Sequence, residues 1–195
     1  MTLFQNKYRI ESTRLKGWDY TSDGYYFVTL CIKNRDHTLG QIENGKMILN
    51  KYGIIVEQCW FDLPNHYTNI RLDAFVVMPD HVHAIVIIDN NGGMVENDGV
   101  VLNVDMGLKP VSTFNTTTDL TIKKRHGLFE FIRALKTFSA RRINELRQSQ
   151  GISVWQSRFH DRIIRNPIEY YHIKHYINKN PQRWKNDSIL NNSKK

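Results

Sequence analysis

The stretch Phe75-Val76-Val77-Met78-Pro79-Asp80-His81-Val82-His83-Ala84-Ile85-Val86-Ile87-Ile88 decides how the rest of the chain is read. Two runs dense in branched and aromatic residues, 70–78 and 81–89, meet at Met78-Pro79-Asp80 and read as tightly joined neighbouring strands. Side chains alternate along a strand, so His81 and His83 point the same way while Val82 points into the core. Two imidazoles on one face of a sheet, immediately after a turn, can hold one divalent metal. They can equally be two satisfied, partly exposed histidines.

Working outward, Tyr25-Tyr26-Phe27-Val28-Thr29-Leu30-Cys31-Ile32 has the composition of a central strand. Residues 39–49 hold a hairpin around Asn44-Gly45. Asn50 caps a helix over about 51–63, with Ile54, Ile55, Cys59 and Trp60 as its apolar stripe and Pro64 as its stop. A helical period returns over 128–146, where Leu128, Phe131, Ile132, Leu135, Phe138 and Ile143 share one side. Residues 154–164 look strand-like, and a last helix is predicted over about 167–180. The order strand, helix, two strands, helix, strand, helix predicts an α+β fold: a mainly antiparallel sheet with helices on one face.

At 195 residues the chain has room for one domain with a real core. The expected organisation is a basic arm over 1–23, one domain over 24–185 with a variable insertion at about 90–126, and a polar tail over 186–195. No apolar run is long enough to cross a bilayer, and the first residues lack the pattern of a signal peptide, which predicts a cytoplasmic protein with no membrane partner. Cys31 and Cys59 both lie in apolar segments and read as small buried hydrophobes. The net charge of +8 is unevenly spread. Residues 121–185 carry 15 Lys or Arg against 4 Asp or Glu, a balance of +11, so the remainder sums to −3. Such a basic half suits a polyanion.

The last helix has a well-signed start: Asn166 as N-cap, Pro167 first, Glu169 three residues after the cap. At 100° per residue, Tyr170, Ile173 and Ile177 fall on the core side. Tyr176 and Asn180 stand one turn apart on the flank of that stripe, with Lys179 and Arg183 nearby. This places a phenol beside an amide oxygen at the rim of the core.

Four segments together resemble one family. The string from Phe75 to His83 resembles the HUH signature (His, hydrophobic, His) of single-tyrosine transposases, especially the REP-associated tyrosine transposases, or RAYTs. Trp155-Gln156-Ser157-Arg158-Phe159-His160-Asp161-Arg162-Ile163-Ile164-Arg165-Asn166 is similar to the segment leading into that family's catalytic helix. Tyr176-Ile177-Asn178-Lys179-Asn180-Pro181 is similar to its catalytic tyrosine followed by Asn-Pro, and Arg14-Leu15-Lys16-Gly17-Trp18-Asp19-Tyr20 also looks family-like. One departure is Asp80, where Asn is commoner in the family.

The resemblance implies a ferredoxin-like or RRM-like antiparallel sheet with the HUH residues on a central strand. It implies a DNA nickase and strand-transferase in which His81, His83 and, as third ligand, Asn180 hold Mg²⁺ or Mn²⁺. Tyr176 then attacks a phosphate to leave a 5′-phosphotyrosine. The partner implied is single-stranded DNA bearing an imperfect palindrome or hairpin, bound by a monomer or a homodimer. Arg14, Lys16, Trp18, Arg133, Lys136, Arg141, Arg142, Arg158, Arg162 and Arg165 are the candidate nucleic-acid contacts. Trp18, Tyr20, Trp155 and Phe159 are candidates to stack on bases or to belong to the core. Asp80, Gln156 and His160 are possible accessory residues. The alternatives are a non-catalytic nucleic-acid binding module on the same fold and a metal-dependent hydrolase attacking with water.

Overall fold

The computed structural model describes residues 3–4, 7–8, 14–90 and 125–192, with side chains for 14–90 and 125–184. Most of the insertion expected at about 90–126, the first part of the arm and the end of the tail lie outside the described residues. In chain order the elements are β1 (Leu3–Phe4), β2 (Lys7–Tyr8), β3 (Gly24–Cys31), a short 3-10 turn (Lys33–Arg35), β4 (Gly40–Glu43) and β5 (Lys46–Leu49). There follow α1 (Lys51–Phe61), α2 (Leu63–His66), β6 (Ile70–Val77), β7 (His81–Ile88), α3 (Leu128–Leu146), β8 (His160–Ile164) and α4 (Pro167–Asn192).

Strands β6, β7, β3 and β8 form one antiparallel sheet in that order. Taken with α1 and α3, the sequence βαββαβ with its first and third strands at the centre is the ferredoxin-like arrangement. His81 and His83 therefore begin a central strand, paired across to Cys31 and Thr29 of β3.

The alternation along these strands separates two cores. Tyr26, Val28 and Leu30 of β3 and Val82, Ala84, Val86 and Ile88 of β7 face α1 and α3, where they meet Trp60, Phe131, Ile132 and Leu135. Burying side chains of this size contributes about 1.5–3 kcal/mol each. The opposite face carries Ile85, Ala74 and Ile164, which pack with Phe27 and with Ile173 and Ile177 of α4. Helices α1 and α3 thus cover one face as expected, and α4 crosses the other.

The hairpin β4–β5 turns at Asn44 and Gly45, both in left-handed conformation with φ 50° and 75°. Its tip touches α4: a Cβ on Gly45 would stand 3.5 Å from Gln182 Cγ. Asn50 caps α1 by accepting from the backbone N–H of Tyr52 and Gly53.

Several local expectations shift. Ile54 is 42% exposed, because α1 turns Gly53, Val56 and Trp60 inward instead. Gly53 abuts Leu39 O so closely that any Cβ would clash at 2.2 Å, which sets the helix's rotation. Phe138 is exposed as well and lies against His66. Pro64 falls inside the separate turn α2 after α1 has already ended at Phe61. Residues 154–159 make only an isolated bridge, Ile32 to Trp155, and the strand proper starts at His160. Trp155 turns inward there, its indole N–H donating to Ser139 Oγ at 3.0 Å. Helix α4 continues through Pro181 to Asn192, beyond the expected end at 180.

A histidine pair and a tyrosine on the second sheet face

His81 and His83 are both buried, at 6% exposure each. Their Nε2 atoms face one another across 3.1 Å. Each ring is held from behind. His81 Nδ1 lies 2.5 Å from Asp80 Oδ1, and since a carboxylate only accepts, Nδ1 is the donor. Asp80 is itself buried, and its Oδ2 meets Arg35 Nε at 2.8 Å. His83 Nδ1 is 2.8 Å from Thr29 Oγ1, the residue opposite it on β3. The Tyr176 hydroxyl lies within hydrogen-bond reach of His83 Nε2, at 3.3 Å.

Both Nε2 atoms are therefore directed into one space. Two nitrogens bound to a single ion at about 2.1 Å and at right angles stand about 3 Å apart, so the observed separation fits such a pair. Burial, with the His81 ring and the Arg35 guanidinium nearby, pushes the His83 imidazole down to about 3, so it is neutral at physiological pH. Neutral imidazole is the metal-binding form. Among the described residues, no three or more His, Cys, Asp or Glu side chains are so grouped that they alone could hold a metal ion.

Helix α4 supplies the remaining candidates. Asn166 Oδ1 accepts from Glu169 N–H as an N-cap, while the Glu169 carboxylate reaches back to Arg165 N–H. Ile177 is fully buried and fixes the helix's rotation. Tyr176 is then left 38% exposed, against Phe27 and His83, and Asn180 is buried at 5%. A polar clamp on β6 seats the helix: Asp73 accepts from the Tyr170 hydroxyl at 2.5 Å and from Lys174 Nζ at 2.7 Å. These contacts raise the Lys174 ammonium above the ordinary lysine range. Further on, the Trp184 ring lies 5.8 Å from His81 and 5.5 Å from His37.

Other predicted residues separate into groups. His160 is exposed and pairs with Thr29 on the side opposite His83, so it shares the histidines' sheet face two strands away. Gln156 Nε2 donates to Ile32 O, and its own carbonyl accepts from Lys136 Nζ at 2.6 Å. Burial lowers Lys136 from the ordinary lysine range. Arg14 lies over the rings of Phe129 and Phe159 at 4.1 and 5.1 Å and pairs with Asp161. Arg14, Arg133, Lys136, Phe129 and Phe159 line an open cleft of about 400 Å³ on the flank of α3.

Arg141 pairs with Glu145, Arg142 reaches Cys59 Sγ, and Arg162 pairs with Glu169. Lys16, Arg158 and Arg165 are exposed. Of the candidate stacking residues, Tyr20 and Trp155 belong to the core, Phe159 is half-buried against it, and Trp18 is 40% exposed. Both cysteines are free and buried, as expected.

Sequence reasoning did not single out Arg35, Thr29, Asp73 or Trp184. Thr29 was within reach, since strand pairing sets it opposite His83; the others carry no local signal.

With this geometry in hand, the chain can be set beside known proteins. No protein-family model matches it. It is 34% identical over 178 residues to an uncharacterized protein of Haemophilus influenzae, with 91% of each chain covered. The chain belongs to that protein's family. Among solved structures, a REP-associated tyrosine transposase bound to a REP hairpin is similar, with a TM-score of 0.52. The identity is 19%, and the match covers 89% of this chain and 73% of that one, a likeness of fold. Among the described residues no helix is long and apolar enough to cross a membrane.

Proposed function

We propose that this chain is a tyrosine-dependent nickase and strand-transferase acting on single-stranded DNA. His81, His83 and Asn180 would hold a divalent metal, Mg²⁺ or Mn²⁺. The observation that carries the reading is the meeting of two imidazole nitrogens and a half-exposed phenol from residues 93 positions apart. Two ring nitrogens this close can share one cation between them. When bound, the ion polarises the scissile phosphate and offsets charge on its oxygens.

The chain's own groups do the rest. Asp80 and Thr29 aim the two rings, and Phe27 and Ile177 hold Tyr176 at the opening. Tyr176 Oη bonds to phosphorus as the bond to the 3′ oxygen breaks. The phenolic proton leaves to water at the opening, and the 3′ oxygen departs as a hydroxyl. The 5′-phosphotyrosine keeps the phosphodiester's energy, so another strand's 3′-OH can reverse the step.

The substrate class follows from charge and fold. Residues 121–185 carry the positive excess, and the transposase of similar fold is bound to a REP hairpin. Single-stranded DNA with an imperfect palindrome is therefore the proposed partner. Arg133, Arg158 and Arg165 are exposed for phosphate contacts.

The test is incubation of end-labelled hairpin DNA, drawn from palindromes flanking the gene, with Mn²⁺ and either wild type or Tyr176→Phe, followed by a denaturing gel. A covalent protein–DNA adduct in wild type alone is expected. Tight binding with no cleavage would establish a binding module instead. Cleavage that survives Tyr176→Phe but not His83→Ala would establish a water-using hydrolase.

A further inference from the structure

Between β3 and β4 the backbone does something that its residues do not favour. Asn34 and Arg35 both adopt left-handed conformations, with φ of 60° and 62°. Asn is several-fold enriched in this region, whereas Arg enters it only uncommonly. Such a conformation persists only where its surroundings impose it, and it collects at functional sites. Here the surroundings are the turn before His81. Ile32 N–H donates to Asp80 O at 2.8 Å, and Leu39 N–H donates to Pro79 O at 3.0 Å, so both ends of the loop are tied to that turn.

The result of the conformation is a single placement. Arg35 Nε meets Asp80 Oδ2 at 2.8 Å, and its NH1 donates to Cys31 Sγ at 2.9 Å. The other carboxylate oxygen of Asp80 holds His81 Nδ1. A buried carboxylate with one oxygen on an imidazole and the other on a guanidinium cannot rotate without breaking one contact. Backing partners of this kind fix a ligand's orientation and tautomer.

We propose that Arg35 is a positioning residue, which locks Asp80 and thereby aims His81 Nε2 at the space it shares with His83. This rests on the metal-site reading above and adds a residue to it. Arg35 works through Asp80 and not by touching DNA, although 48% of its side chain is exposed.

Two measurements decide it. The first is titration of the full chain with Mn²⁺ alone, comparing wild type, Arg35→Ala, Arg35→Lys, Asp80→Asn and the Arg35→Ala/Asp80→Asn double variant. The second is the His81 Nδ1–H signal in the NMR spectrum of the metal-free protein. Arg35→Ala should weaken Mn²⁺ binding about 10- to 100-fold, the usual consequence of losing a backing partner, and Arg35→Lys should recover part of it. With Asp80→Asn already present, removing Arg35 should cost nothing more. The Nδ1–H signal should be sharp in wild type and lost to exchange in Arg35→Ala. Unchanged Mn²⁺ affinity in Arg35→Ala, or an equal loss with and without Asp80→Asn, overturns the proposal. If wild type takes up no Mn²⁺, the metal reading falls, and the His81 signal alone decides the relay.

Discussion

Asn180 is buried at 5%, whereas Tyr176, one helical turn before it, is 38% exposed. A polar amide sunk beside a solvent-reachable phenol is costly unless the amide is used. If Asn180 ligates the metal, Asn180→Ala should weaken Mn²⁺ binding by about tenfold and reduce adduct formation while hairpin affinity holds. Calorimetric Mn²⁺ titration beside a gel-shift assay checks both halves.

His83 gives a dependence of stability on pH. Folded, it takes up a proton only near 3; unfolded, it does so below about 6.5. The unfolded chain therefore binds more protons between those values. The contribution is complete above about 6.5 and is lost as pH falls from there toward 3, by at most about 1.4 kcal/mol per unit. Urea unfolding of wild type and His83→Asn from pH 7.5 to 4.5 should show a shallower slope in the variant.

The Asp73 clamp predicts a local effect. Asp73→Asn removes the charge that Lys174 meets at 2.7 Å. Lys174 is partly solvated, so the cost should be only about 1 kcal/mol. Amide exchange should quicken in α4 and stay unchanged in β3 and β7. Equal loosening of the whole sheet would mean that α4 is not seated separately.

Two tryptophans should behave oppositely. Trp155→Phe leaves a buried hydroxyl without its indole partner and should cost about 1–3 kcal/mol of stability with little change in DNA affinity. Trp18 is exposed, and Trp18→Ala should leave stability nearly intact. Its loss should weaken single-strand binding by about 1–3 kcal/mol if a base stacks there. Thermal melts and fluorescence anisotropy separate the two.

What could be read from the residues follows from how local their causes are. The strand at His81 and the cap at Asn50 declare themselves because alternation and capping act over a few residues. The companionship of Tyr176 and Asn180 follows from helix pitch alone. The face on which α4 lies was not readable, because the Arg165–Asn166 connection can lead to either side of the sheet. Arg35 was invisible for a different reason. Its backbone conformation runs against its own preference and comes from contacts with Pro79 and Asp80, more than 40 positions along. Ile54 misled because a missing Cβ at Gly53, and not hydrophobicity, chooses the inner face of α1.

The tip of the β4–β5 hairpin, where Gly45 meets Gln182, bears on more than the turn itself. Pro181 deprives α4 of a backbone bond at the level of Ile177 and makes that level the natural place for the helix to bend. Tyr176 and Asn180 straddle it. The hairpin tip stands just beyond, against Gln182. An addition to the basic sheet thus bears on how far Tyr176 and Asn180 can part, and lengthening it should alter their spacing without changing either residue.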